Sequence, residues 1–433
     1  MVALLCVAQF VIVLDVTIVA IALPAMQADL GLSTTALGWV VTVYTLVFGG
    51  CLLAAGRLAD RVGRRRAFVA GLSLFAAASL ACGLAPSAGA LLAARAVQGL
   101  GAALVAPAAL ALLTTARPDG PARGRALGWW TAAAAGGGAS GWLLGGLLSA
   151  LDWRLVFLVT VPVCAGAAAL APRVLPDGRR RRAPRVNTPA ALLATTGLGA
   201  LVLALTLAEQ RGPGAAATLA ALAAAVVLLG ALAASERRAR EPLLDPGLLR
   251  RPGVRGANGV AAALTATTTP PMFLCTLYAQ RVLGLPPALA GLLFPPFNLA
   301  VIAGSLGGPR VAARIGERTA MAGGLLGVAA GAAFLLTLGH AAWPLASLIG
   351  GFVALGAGLG VASVASTARG TAAQDAAHQG LASGLLNTSA QLGTALGLAL
   401  ILPVAAAHGT HAGFALAAVL AAAAGLAVAL RRA

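Results

Sequence analysis

Apolar runs of about 20 residues, separated by short segments rich in arginine, repeat from one end of the chain to the other. That length is what an α-helix needs to cross the hydrocarbon core of a bilayer. The pattern predicts fourteen spans, at roughly 2–24, 37–56, 67–85, 89–113, 124–150, 154–172, 190–208, 215–234, 256–279, 288–309, 319–338, 342–365, 379–404 and 412–430. The seventh and eighth runs carry no charge, and the polar turn Glu209 to Gly214 divides them, so they read as two spans. The first run has no basic residue ahead of it and holds Asp15 near its middle, unlike a signal peptide. Met1 opens almost inside that run, and a short N-terminal tail is expected to be missing.

Composition points the same way. Of 433 residues, 60% are apolar and 10% charged, with mean hydropathy +0.92. A soluble chain of this size could not hide so much apolar surface, so an all-α polytopic membrane protein is expected. All 30 basic residues are arginine, and the formal charge is +18. In a soluble protein this would suggest nucleic acid. Here the arginines stand in short loops and report topology, and no nucleic-acid partner is expected. With a cytoplasmic N-terminus, 26 arginines fall in inner loops and three (Arg154, Arg211, Arg281) outside, while Arg95 lies within the fourth span. Multi-pass insertion in the cell membrane with both termini cytoplasmic follows from that bias. The five cysteines (Cys6, Cys51, Cys82, Cys164, Cys275) stand singly in apolar runs and predict neither a metal site nor a disulfide framework. None of the four histidines (His340, His378, His408, His411) falls mid-span, and no Walker A sequence occurs, so ATP hydrolysis is not expected.

Between the second and third runs lies GRLADRVGRRR, Gly56 to Arg66. It resembles the loop between helices 2 and 3 of major facilitator transporters, Gly-x-x-x-Asp-Arg-x-Gly-Arg-Arg. Gly56, Asp60, Arg61, Gly63, Arg64 and Arg65 fit that motif position by position. An echo, PRVAARIGER, runs from Pro309 to Arg318, at an offset of 253 residues. Arg57, Arg61, Gly63 and Arg65 map onto Arg310, Arg314, Gly316 and Arg318, whereas Asp60 becomes Ala313 and Arg64 becomes Glu317. With the two extra central spans removed, the offset matches one six-helix half, the parallel repeat of that architecture. The resemblance therefore implies the fourteen-helix drug:proton antiporter branch. Its expected organisation is an N-terminal six-helix half at 1–172, basic linkers and two additional helices at 173–255, and a C-terminal six-helix half at 256–433.

Charge inside hydrocarbon is costly, which makes intramembrane ionisable residues candidates for function. Asp15 is the one acid near mid-membrane, within LDVTIVAIALP, Leu14 to Pro24. That segment resembles the family's helix 1 signature, with Ala20 where asparagine is usual. Arg95 opens RAVQGLGAALVAP, Arg95 to Pro107, which resembles the helix 4 motif, and Gln98 follows one turn along the same face. The resemblance makes helices 1 and 4 neighbours and implies an Asp15–Arg95 coupling that carries protons. The alternative is that both residues only fix helix packing. Gly128, Gly137, Gly141, Gly145 and Gly146 match the glycine spacing of the antiporter motif in helix 5, where Trp142 replaces the motif's proline. The adjoining DWRLVFLVTVP, Asp152 to Pro162, resembles the helix 5–6 junction, with Thr160 where asparagine is usual.

The family's cavity lies between the halves near the bilayer midplane. Gln98, Trp142, Tyr278, Asn298, Asn387 and Gln391 are the candidate lining groups, a set of amides and aromatics suited to lipophilic ligands. Breaks in helical hydrogen bonding are expected at Pro270-Pro271 and Pro295-Pro296. Gly56, Asp60, Arg61, Gly63, Arg64 and Arg65 form the expected cytoplasmic gate. Asp60, placed at the approach to the third span, should face the helix that begins near Gln379 and latch that side shut. The resemblance implies a monomeric exporter of drugs or other hydrophobic small molecules, with no cofactor and driven by the proton gradient. Export of one endogenous metabolite or antibiotic, uptake by symport, and a non-transporting receptor are the competing readings.

Overall fold

The computed structural model describes residues 1–32, 34–116, 120–176, 188–212, 214–238, 251–285, 293–338, 344–372 and 379–430. Among them are fourteen long helices and no strand. In chain order they are α1 (Val2–Leu30), α2 (Thr34–Val62), α3 (Arg64–Gly83), α4 (Ala88–Ala116) and α5 (Gly120–Leu151). Next come α6 in two pieces (Leu155–Leu158 and Thr160–Val174), α7 (Thr188–Arg211), α8 (Ala216–Arg238) and α9 (Pro252–Arg281). The last are α10 (Pro295–Ile315), α11 (Glu317–Phe334), α12 (Pro344–Ala372), α13 (Gln379–His408) and α14 (Thr410–Leu430). On the described residues alone, eleven helices are long and apolar enough to cross a membrane. The basic linker Arg179 to Arg182, His340 and His378 lie outside the described residues.

Most helices run several residues past the apolar runs, because arginine is a good helix former and its charged head reaches the interface. The segment Gly56 to Arg66 is accordingly helical rather than a loop. Asp60 sits in the last turn of α2 instead of at the approach to α3. The joint between the two helices is the single residue Gly63, at φ 100 and ψ 129. Its repeat partner Gly316 joins α10 to α11 in the same way, at φ 83 and ψ 149. Only glycine adopts such positive φ freely, so a one-residue corner requires it.

One proline expectation needs correcting. Pro295-Pro296 opens α10 and breaks nothing, since the first-turn amides of a helix have no intrahelical partner to lose. Pro270-Pro271 lies inside α9, where neither proline has an N–H to give the carbonyls of Ala266 and Thr267, yet the helix runs on. The hydroxyls of Thr267 and Thr268 donate to the carbonyls of Ala263 and Leu264 at 2.7 Å each. A proline that interrupts its helix is Pro162. It has no N–H to give Leu158, and α6 breaks between Leu158 and Thr160.

The chain forms two compact units. The first comprises Met1–Ala116, Ser140–Arg250 and Gln374–Thr388; the second comprises Arg117–Ala139, Arg251–Ala373 and Ser389–Ala433. In the first, Ile18, Met26, Val40, Leu91, Trp153 and Phe157 are the centre of an apolar core. A Cβ on Gly99 of α4 would stand 2.7 Å from the Tyr44 carbonyl, so α2 and α4 meet backbone to backbone. The α7–α8 pair packs on α2, with Ala190, Ala194 and Leu232 buried against Ala54. The second unit has its own core around Leu325, Val328, Phe352, Leu355 and Phe414.

The repeat also appears in side-chain roles. Arg65 Nη1 donates to the carbonyls of Pro172 and Leu175 at 3.3 and 3.4 Å, at the end of α6. Arg318 donates through Nε and Nη2 to the carbonyls of Val428 and Ala429 at 2.8 and 3.1 Å, at the end of α14. Each arginine satisfies carbonyls orphaned at the C-terminal end of the last helix of its half.

Candidate functional site

In the first unit four helices bring a closed polar network together inside apolar packing. Asp15 of α1 is fully buried and Arg95 of α4 is 1% exposed. Arg95 Nη1 lies 2.6 Å from Asp15 Oδ2 and donates to it. Gln98, one turn on along α4, accepts from Arg95 Nη1 at 2.6 Å through Oε1 and donates through Nε2 to Asp15 Oδ1 at 2.8 Å. The same Nε2 lies 2.8 Å from Ser79 Oγ of α3, and Arg95 Nε donates to the Val40 carbonyl of α2 at 3.0 Å. Both carboxylate oxygens and the charged end of Arg95 are thereby engaged. A buried ion pair survives in low dielectric only on that condition.

Aromatic rings close the rest of the space. The guanidinium carbon of Arg95 stands 4.3 Å from the centroid of the Tyr44 ring and 5.8 Å from that of Phe157. Tyr44 in turn stacks on Phe48, with centroids 5.9 Å apart. The Tyr44 hydroxyl is buried with no hydrogen-bond partner among the described residues.

A second polar node in this unit is Asp60. Its Oδ1 accepts from Arg64 Nη2 and Nε at 2.9 and 3.1 Å, and its Oδ2 accepts from the backbone N–H of Leu381 at 3.0 Å. Arg64 also donates to Thr115 Oγ1 at the end of α4. Leu381 lies in the first turn of α13, where backbone N–H groups have no intrahelical partner and a carboxylate is favoured. Gly384, one turn on, is seated against α2. A Cβ there would lie 2.8 Å from the Leu52 carbonyl and 3.7 Å from the Gly56 Cα. Arg61 is exposed.

The helix 5 glycines do not form one surface. Gly141 and Gly145 press on Thr17 and Ile21 of α1 in the first unit, whereas Gly128 meets the Ser305 carbonyl in the second. Nothing lies within 4 Å of a Cβ built on Gly146, and Gly137 is buried. The Trp142 side chain lies outside what is described. At the far end of α1, Asp29 Oδ2 accepts from Trp153 Nε1 at 3.0 Å and from Arg154 Nη1 at 2.8 Å, tying α1 to the α5–α6 junction.

Of the lining candidates, Gln98 is fully enclosed, with both ends of its amide engaged. Tyr278 packs among Leu274, Cys275 and Phe294 in the second core. Asn298 and Asn387 donate to carbonyls one turn back on their own helices, those of Phe294 and Ser383, at 3.2 and 2.9 Å. Gln391 is half-buried on α13. Sequence reading missed Ser79, Tyr44 and the Val40 carbonyl, because hydroxyls, aromatics and backbone in an apolar run carry no mark of what faces them. It also missed a polar seam in the second unit. There Ser389 Oγ donates to Asn258 Oδ1 at 2.9 Å, and Thr265 Oγ1 to the Ala390 carbonyl at 2.6 Å.

A bundle of long apolar helices around a buried acid–arginine–amide network, built on a two-fold internal repeat, defines a multi-span membrane carrier. The chain belongs to the Major Facilitator Superfamily, whose family model matches residues 5–398. It is a transporter and not an enzyme. It is 42% identical to the puromycin resistance protein pur8 of Streptomyces alboniger, over 91% of this chain and 79% of that protein. It is 40% identical to the cephamycin export protein CmcT of Amycolatopsis lactamdurans, over 93% of this chain and 84% of that protein. With the multidrug efflux pump LfrA of Mycolicibacterium smegmatis the identity is 33%, over 92% and 79%. The fold resembles the crystal structure of the human organic anion transporter MFSD10 (TETRAN), with a TM-score of 0.71 over 99% of this chain and 98% of that one at 17% identity.

Proposed function

We propose that this chain exports drugs or other hydrophobic small molecules across the cell membrane in exchange for protons, by alternating access. The observation that carries the reading is the buried Asp15–Arg95–Gln98 network. Protonation of Asp15 removes the charge that holds Arg95 and Gln98, two contacts between α1 and α4. Arg95 then keeps the Val40 carbonyl, Gln98 Oε1 and the Tyr44 ring, so the cation stays in place while α1 is released. A proton thus becomes a change in helix contact, which is what coupling requires. The arginine bias supports cytoplasmic termini and a cytoplasmic Asp60 node, and the proton gradient serves in place of any cofactor. The protein acts as a monomer, and its substrate is lipophilic.

The relatives named for resistance and efflux support export over uptake. Two of them are named for a single compound, puromycin or cephamycin, which favours a second reading: export of one antibiotic or metabolite. Proteoliposomes with an imposed pH gradient test both. Movement of puromycin or ethidium should be coupled to opposite proton flow and abolished by Asp15→Asn. Transport that ignores the pH gradient would overturn antiport, and transport of one compound from a broad panel would select the second reading.

A further inference from the structure

In the second unit a cavity of about 480 Å³ opens where α5, α10, α11 and α12 end. Arg123 and Arg125 of α5 and Arg310 of α10 line it, and Glu317 is the acid that lines it with them. Arg123 is 7% exposed and donates to Thr371 Oγ1. Leu306, Val364 and Ala365 add apolar lining.

The repeat explains the space. Gly384 is seated on Leu52 and Gly56, and Gly128 and Gly124 are seated on Ser305 and Pro309, the residues 253 further along. At the same offset Arg57, Asp60 and Arg64 correspond to Arg310, Ala313 and Glu317, all three of which line the cavity. The first unit fills this position with the Asp60 carboxylate, which holds the start of α13. The second has a methyl group there, and three arginines around it.

We propose that the cavity binds an external phosphate group, which takes the place of the missing carboxylate and ties the start of α5 to α10. Among the described lining residues Arg125 and Arg310 stand against Glu317 beside Arg123, a set of guanidinium groups suited to a phosphate monoester or diester. The phosphate has two sources, an anionic phospholipid headgroup or free inorganic phosphate. Binding needs no transport cycle, so the test is independent of antiport.

The full-length protein, purified in detergent, is titrated with phosphatidylglycerol, phosphatidylcholine or inorganic phosphate. Bound molecules are counted by native mass spectrometry and stability is followed by thermal unfolding. Phosphatidylglycerol should bind and raise the Tm where phosphatidylcholine does not. Ala313→Asp, which supplies the carboxylate, and Arg310→Gln, which removes a cation, should each weaken binding about tenfold, the effect of one charge-assisted contact. Both positions are exposed and tolerate the change. An equal shift from inorganic phosphate alone would make the soluble ion the ligand. Wild-type protein that binds neither phosphate source, or variants that bind as well as wild type, would overturn the proposal.

Discussion

Asp60 Oδ2 accepts a hydrogen bond from the backbone N–H of Leu381, 321 residues further along the chain. One carboxylate thereby joins the last turn of α2 to the first turn of α13, and its other oxygen holds Arg64 across the Gly63 corner. Asp60→Ala removes an ionic hydrogen bond worth about 1.5–3 kcal/mol. The start of α13 should then part from α2 more often. Ser383, fully buried two residues on from Leu381, reports that opening as Ser383→Cys in a background freed of the five native cysteines. Labelling by a membrane-impermeant thiol reagent should be slow with Asp60 and fast with Asp60→Ala. Equal rates would mean the contact does not hold the two helices.

Asp15 and Arg95 form a pair whose members should fail singly and compensate jointly. Arg95→Ala leaves a buried carboxylate with only Gln98, and Asp15→Ala leaves a buried guanidinium with only neutral partners. Breaking a buried pair on one side costs about 3–5 kcal/mol. The double variant Asp15→Ala/Arg95→Ala leaves no charge behind and should recover much of that stability, while transport stays lost. Unfolding of the four proteins in detergent gives the interaction energy, and additive losses would argue against a direct pair.

Tyr44 contributes to that site through its ring and not through its hydroxyl. The ring faces Arg95 at 4.3 Å, while the buried hydroxyl finds no partner among the described residues. Tyr44→Phe keeps the stacked face and removes an unsatisfied polar atom, so stability should hold or rise. Tyr44→Leu forfeits the cation–π contact, worth about 2 kcal/mol when desolvated, and should lower the Tm. If phenylalanine proves as harmful as leucine, the hydroxyl has a role, and a water bridge to Asp15 becomes the explanation to test.

The helices and their order were legible because bilayer thickness forces a run length that few other constraints imitate. Asp15 and Arg95 stood out for a related reason: charge in such a run is rare enough to need a cause. Helix ends were harder to read. At Gly56 to Arg66 the arginines mark the interface, which resembles a loop in sequence although only Gly63 leaves the helix. The pairing of Gly63 with Gly316 could be seen as a repeat, but not that both would be one-residue corners. Nor could Arg65 and Arg318 be seen to cap α6 and α14, since their acceptors are backbone carbonyls that no side-chain pattern marks. Ser79 was invisible for the same reason: its role is set by what faces it across α3 and α4.

Gly141 and Gly146 separate close packing from simple abundance among the 55 glycines. A Cβ on Gly141 would overlap the Thr17 hydroxyl, whose oxygen is held by the Leu14 carbonyl at 3.0 Å. A Cβ on Gly146 would meet nothing within 4 Å. Gly141→Ala must push α5 off α1 or turn Thr17 out of its rotamer, and overpacking of this kind costs about 1–3 kcal/mol. Gly146→Ala adds a methyl in open space and should be neutral or stabilising by up to about 1 kcal/mol, through helix propensity. Thr17→Ala removes the hydroxyl but keeps the Thr17 Cβ, 2.6 Å from the added methyl, so Thr17→Ala/Gly141→Ala should recover only part of the loss. The Tm of the four proteins in detergent decides the matter. If the two alanine variants behaved alike, the glycine spacing of α5 would be incidental to its contact with α1.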